Sequence, residues 1–136
     1  MSNLVLTQSG ANLLLSWGLV ATTTPENLVL RLFSNNYNPT PTDTAAQYTE
    51  ATFGGYSAVT LTRANWSAPT TNSNSQAETD QPTTTWTATS AQMIYGYFVV
   101  GATSGTLLWA QAFDIPRNLK VGDTLSLTPS FTLTSQ

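Results

Sequence analysis

From Thr124 to Thr134 apolar and hydroxyl side chains alternate without a break. Leu125, Leu127, Phe131 and Leu133 hold one set of positions, with Pro129 in the same register. Thr124, Ser126, Thr128, Ser130, Thr132 and Thr134 hold the other. A period of two over this length belongs to a strand with one face on a core and one toward water. Slipping by one residue would carry every apolar group into solvent, so the pattern fixes its own register. A chain carrying such a strand must build a sheet with one covered face.

The remaining segments suggest how that face is covered. Leu4 to Thr7 reads as a short strand. Ser9 then suits a helix N-cap, with Leu13, Leu14, Trp17 and Val20 at helical spacing, which predicts a short amphipathic helix over 10–20. Its apolar stripe is expected to cap the open end of a sheet core, and Gly18 with Thr22-Thr23-Thr24-Pro25 ends it. Leu28, Leu30 and Leu32 alternate with Val29, Arg31 and Phe33, as in a central strand covered on both faces or one reaching a subunit contact; Arg31 either pairs with a carboxylate or, the favoured reading, points outward. The 35–44 segment is a loop stiffened by Pro39 and Pro41. A glycine pair, Gly54-Gly55, marks a turn or bulge after Tyr48 to Phe53.

Strands are expected at 57–63 and around Trp86, with Trp66 in a turn between them. Residues 69–85 are too polar to be buried in quantity. They read as an exposed polar loop or a hairpin with polar faces, not as a linker. Met93 to Val100 and Thr106 to Phe113 flank the turn Gly101-Ala102-Thr103-Ser104-Gly105 and predict a hairpin, with a bulge or close approach at Gly96. Asp114 to Val121 then crosses over through Pro116 to the last strand. Short strands joined by turns point to a mainly β fold: an antiparallel β-sandwich or jelly-roll-like barrel with one short N-terminal helix. At 136 residues, one domain over 1–136 is expected, with a strand and helix segment over 1–25.

Charge narrows the function. Only 8% of residues are charged, against about a quarter in ordinary domains, and the formal net charge is −3. Disorder does not follow, because 40% of residues are hydrophobic. A weakly charged surface gives little repulsion between copies and favours life in an assembly. Arg31, Arg63, Arg117 and Lys120 are scattered, which argues against nucleic-acid binding. No apolar run approaches the roughly 20 residues of a membrane span. Met1-Ser2-Asn3 lacks the basic residues and cleavage site of a signal peptide, and cysteine is absent, so synthesis in a reducing cytosol without standard secretion is expected.

Histidine is absent too, which removes the common nucleophile–base arrangements and the usual zinc sites. Glu78 and Asp80 are neighbours in a polar stretch where burial cannot raise a pKa, while Glu50, Asp114 and Asp123 read as turn or strand-end residues. A glycosidase pair, a phosphate loop and a Ca²⁺ loop all lack their residue pattern. The expectation is therefore a non-enzyme with no catalytic residues, no metal ligands and no cofactor. The aromatic residues are the better candidates: Trp17, Trp66, Trp86, Trp109 and the five tyrosines suit core packing, interface anchors or a sugar-stacking platform.

Four segments together resemble a family of small β-rich structural proteins of tailed bacteriophages. They are residues 30–39 (LRLFSNNYNP), 48–56 (YTEATFGGY), 94–100 (IYGYFVV) continued through Leu107-Leu108-Trp109-Ala110, and 122–129 (GDTLSLTP). Their order covers the chain from about residue 28 onward, and the family's short Leu-rich helix corresponds to Leu13 to Trp17. The resemblance implies a virion component without catalytic residues: a capsid decoration or cement protein that binds the major capsid protein lattice and stabilises the head from its outer surface. A homo-oligomer, with a trimer favoured, goes with that role. A tail or fibre domain binding a host surface, and a carbohydrate-binding module, stand as the alternatives.

Overall fold

A computed structural model describes residues 4–21 and 23–134. Val5–Leu6 (β1) leads into the helix Gln8–Leu15 (α1), which passes into a π-helical turn at Ser16–Val20. The strands Leu28–Phe33 (β2), Val59–Leu61 (β3), Thr70–Thr71 (β4), Gln76–Asp80 (β5) and Thr84–Thr87 (β6) follow. Gln92–Gly101 (β7), Leu107–Leu119 (β8), Thr124–Leu127 (β9) and Ser130–Thr134 (β10) complete the order. All pairings are antiparallel, in sheets of order β1-β8-β7-β2-β3, β10-β5-β4 and β6-β9. The fold is mainly β with one short α-helix, as the strand pattern predicts.

The five-stranded sheet is the frame, with β7 at its centre and β2 an interior strand between β3 and β7. Leu30 lies opposite Val99 and Leu32 opposite Tyr97, while Val99 lies opposite Trp109. Alternation sends these residues to one face, where they meet Trp86 of β6, Leu125 of β9 and, at the margin, Phe131 of β10. The two small sheets and the helix therefore cover this front face. Arg31 opposite Phe98, and Phe33 opposite Gly96, belong to the back face.

The back face is covered by the 35–50 segment. Phe33, Phe98, Val100 and Ala110 pack there against Tyr48, with Tyr37 beside it. Tyr48 stacks on Phe98 at 5.1 Å and receives the edges of Phe33 and Tyr37 at 5.0 and 5.4 Å. Asp43 ties the segment together. Its Oδ1 accepts from the Tyr37 hydroxyl at 2.7 Å and the Thr40 hydroxyl at 2.6 Å. Its Oδ2 accepts from the Thr40 amide and the Tyr48 hydroxyl, both at 2.8 Å. Burial raises the Asp43 pKa, but the Thr40, Tyr37 and Tyr48 hydrogen bonds outweigh it and hold the carboxyl below its ordinary range.

Several expectations need correction. The helix begins at Gln8 under a Thr7 cap, not a Ser9 cap: Thr7 Oγ1 accepts from the Gly10 amide at 2.9 Å. Ser9 itself is exposed on α1, whereas Thr7 is buried against β8 and also donates to the Leu108 carbonyl. A Cβ on Gly10 would meet the Leu108 backbone, so glycine lets α1 press against the strand. Arg31 does not simply point outward; its Nη1 lies 2.6 Å from Glu50 Oε1, while Tyr56 donates to Glu50 Oε2 at 2.7 Å.

The chain does not cross over at Asp114. β8 continues to Leu119, pairing Ile94 with Arg117 and Gln92 with Leu119. Pro116, which has no amide to give, falls in the register shift between Ile94 and Gly96. Of the two readings of the 69–85 segment, the polar-faced hairpin is the one observed, since it holds the antiparallel pair β4 and β5. Asn72 builds their turn by accepting from the amides of Asn74 and Gln76. Thr124 to Thr134 is two strands in two sheets, because Pro129 interrupts the run; β9 pairs with β6 and β10 with β5. Leu125 is buried as the alternation requires, whereas Leu133 is 58% exposed at the sheet edge.

Candidate binding site

The front face closes incompletely. An open cavity of about 290 Å³ remains where the helix, the turn before β4, the frame sheet and the β10-β5-β4 sheet converge. Leu14 and Trp17 reach it from α1 and the π turn, and Leu28 and Trp109 from the frame sheet. Trp66 follows the 3₁₀ turn Arg63–Asn65, while Thr79 and Phe131 come from the paired strands β5 and β10. Trp109 lies edge-on to Trp66 at 6.3 Å and 4.7 Å from Phe131, forming a continuous aromatic wall.

Polar groups sit around this wall. Glu26 Oε1 accepts from the Thr103 and Ser104 amides at 2.8 and 3.0 Å, which fixes the carboxylate over the β7–β8 turn. Partial burial acts to raise its pKa; the hydrogen bonds from Ser104 and Thr103 prevail and hold it lowered, so Glu26 is an anion at neutral pH. Arg63 is exposed, and Asn27 Oδ1 holds its backbone amide at 3.0 Å. Thr79 donates its hydroxyl to the Ser67 carbonyl at 2.7 Å. The Trp17 indole N–H is buried without a hydrogen-bond partner.

Trp17, Trp66 and Trp109, three of the aromatic candidates, thus converge on one cavity. Trp86 does not join them. It is buried in the front core, where its indole donates to the Ser57 carbonyl at 2.9 Å. Tyr37 and Tyr48 serve Asp43, Tyr56 serves Glu50, and Tyr97 is buried with its hydroxyl on Gln111. Burial raises the Tyr97 pKa to about 12. Tyr95 lines a separate cleft with Asp114 and Pro116.

The carboxylates are dispersed. Glu50 is paired with Arg31, Glu78 accepts from Asn72, and Asp123 accepts from the Lys120 amide in its turn. Among the described residues no group of three or more His, Cys, Asp or Glu could hold a metal ion, and no helix is long and apolar enough to cross a membrane. Reading the sequence for function singled out neither Glu26 nor Asp43. Glu26 stands beside Pro25 before the strand run, and Asp43 follows a Pro-Thr-Pro-Thr series that fits a local turn as well as a buried hub.

Residues 6–134 match the family model described as podophage GP4 fiber I protein gp80. No curated protein matches the chain.

Proposed function

We propose, from the premise that the chain belongs to the podophage GP4 fiber I protein family, that it is a fibre domain on a virion appendage that contacts the host surface. The match over residues 6–134 is the single observation that carries this reading. It favours a fibre over the capsid-cement role that the phage resemblance implies. The family is described as a phage fiber protein, which supports a structural role in the virion. A fibre domain needs shape, stability and an exposed binding feature; the aromatic cavity is a suitable feature of that sort.

As a fibre component the chain is expected to form a homo-oligomer, with a trimer as the leading stoichiometry. Light scattering coupled to size exclusion tests the stoichiometry. The position of the chain's density in a virion reconstruction tests the role itself. Density on a tail or fibre supports it. Density on the capsid lattice, against the major capsid protein, overturns it in favour of decoration.

A further inference from the structure

We infer that the free edge of β10 is an interface with a second copy of this chain, in which Ser130–Thr134 pairs antiparallel with itself across a two-fold axis at Thr132. β10 ends its sheet, with β5 on one side and, among the described residues, no strand on the other. Its five residues make it the longest edge strand described: β1 and β4 have two, β3 three, and β6 and β9 four each. Edge strands are ordinarily guarded by charge, proline, a bulge or brevity. β10 carries no charge and no proline, and it runs in unbroken register with β5. A groove of about 520 Å³ lies beside it, lined by Phe131 and Leu133 on this side and by Leu4 and Leu6 at β1, the edge of the frame sheet.

The strand's own sequence selects a copy of itself. Ser-Phe-Thr-Leu-Thr reads polar, apolar, polar, apolar, polar, and so matches itself when reversed. Centred on Thr132, the pairing sets Thr132 opposite Thr132, Ser130 opposite Thr134 and Phe131 opposite Leu133 of the second copy. Hydroxyls then meet on one face. On the other, where Phe131 already packs at the margin of the front core, Phe131 of the second copy covers Leu133, which is 58% exposed in the single chain. Charge agrees with this occupant. No residue lining the groove is charged, so an ionic partner finds no counter-charge there. Glu78 lies opposite Thr132 and Asp80 opposite Ser130. Each would stand at least three strand spacings, about 14 Å, from its counterpart, beyond the screening length of about 10 Å at 0.1 M salt. Five residues of strand edge bury well under the about 800 Å² per partner of a standard interface, so pairing is expected at about 0.1–1 mM. Unfolding at low micromolar concentration therefore reads the single chain. The inference goes beyond the fibre reading and does not depend on it. A two-fold contact cannot close a three-fold ring, so in a trimeric fibre it would join neighbouring trimers.

The test uses the purified full chain in sedimentation velocity from about 10 μM to about 2 mM, a range that brackets the expected affinity. The mass is expected to double as concentration rises, whether the starting species is one chain or a trimer. The chain has no cysteine, so single cysteines can trap the contact. Thr132→Cys is expected to give a disulfide-linked dimer on mild oxidation, since opposed Cβ atoms about 4.5–5.5 Å apart come close to the span of a disulfide. Thr71→Cys, on the exposed strand β4 at the other edge of the sheet, is expected to stay unlinked. Thr132→Lys faces Glu78 within its own chain, which favours the fold, but sets two ammonium groups against each other across the axis. It is expected to weaken association about tenfold or more. The inference is overturned if the mass stays constant over the series, if Thr132→Cys links no better than Thr71→Cys, or if Thr132→Lys associates as the parent does.

Discussion

The two faces of the five-stranded sheet are closed by different means. On the back, a loop is fastened by one buried carboxylate with four hydrogen bonds, and the aromatic rings under it are held in one arrangement. On the front, two small sheets and a helix settle on apolar and aromatic side chains, and a cavity remains among them. Directional bonds to a single atom pair leave little freedom, because each misplaced donor is left unpaired. Apolar contact is tolerant of small misfits, so the front can keep an open cleft without losing its core. The back face is thus suited to rigidity and the front to binding.

On the back face, removing the hub should have the largest effect. Asp43→Ala leaves the hydroxyls of Tyr37, Thr40 and Tyr48 and the Thr40 amide without their acceptor. A loss of about 3 kcal/mol is expected in urea unfolding, since each stranded buried group costs about 1–3 kcal/mol and some recover water. The same group sets an acid limit. The Asp43 pKa is lowered in the folded protein from an ordinary 3.8, so its contribution is complete above 3.8 and declines as pH falls below it toward the folded value. Asp43→Asn should flatten the acid limb of the stability profile over that window. An unchanged limb would mean that the back face does not hang on this carboxylate.

Gly96→Ala comes next. A Cβ there would strike the Gln111 carbonyl and come within 2.6 Å of the Phe33 ring, forcing apart β8 and the aromatic stack of the back face. Overpacking of this kind costs about 1–3 kcal/mol, measurable as a lower midpoint with an unchanged denaturant slope. Arg31→Met should cost less, below about 1 kcal/mol, because the Arg31–Glu50 pair is about a third exposed at both side chains, 37% and 33%. Glu50 also keeps its bond from Tyr56. A larger loss would show that the pair, and not only Asp43, fastens the segment.

How far the sequence revealed these faces depends on where each signal resides. Leu28, Leu30 and Leu32 on β2, and the turn at 101–105, carry period and turn chemistry within a few residues, so the frame sheet was readable. The bulge at Gly96 was anticipated for the same reason. β5 could be read only as one arm of a polar-faced hairpin with no fixed bounds, because Gln76 to Asp80 has no apolar period; backbone pairing with β10 and the Asn72 turn hold it. Nor could Asp43 be told from a turn aspartate, since its partner Tyr48 must fold back over the sheet before the two meet. The cavity was half readable. Tryptophans signal either packing or binding, and only the topology sorts Trp17, Trp66 and Trp109 from Trp86.

The smallest effect should come from the exposed end of the alternating run, at Leu133, and its contrast with Leu125 separates the margin of the front face from its core. Leu125 and Leu133 belong to one register in the sequence, yet Pro129 sends them to different sheets. Leu125 lies opposite Trp86 and is 1% exposed, whereas Leu133 lies opposite Ala77 and is 58% exposed. Replacing Leu125 by threonine removes buried methyl groups and brings a hydroxyl into the core, which should cost about 2–4 kcal/mol. Replacing Leu133 by threonine exchanges one strand-compatible surface residue for another, with an expected change within about 0.5 kcal/mol. Unfolding of Leu133→Thr should therefore overlay that of the parent at matched protein concentration. A loss close to that of Leu125→Thr would mean that β10 is covered in solution by something beyond this chain's own fold, and the matched-concentration series would show whether a second copy is responsible.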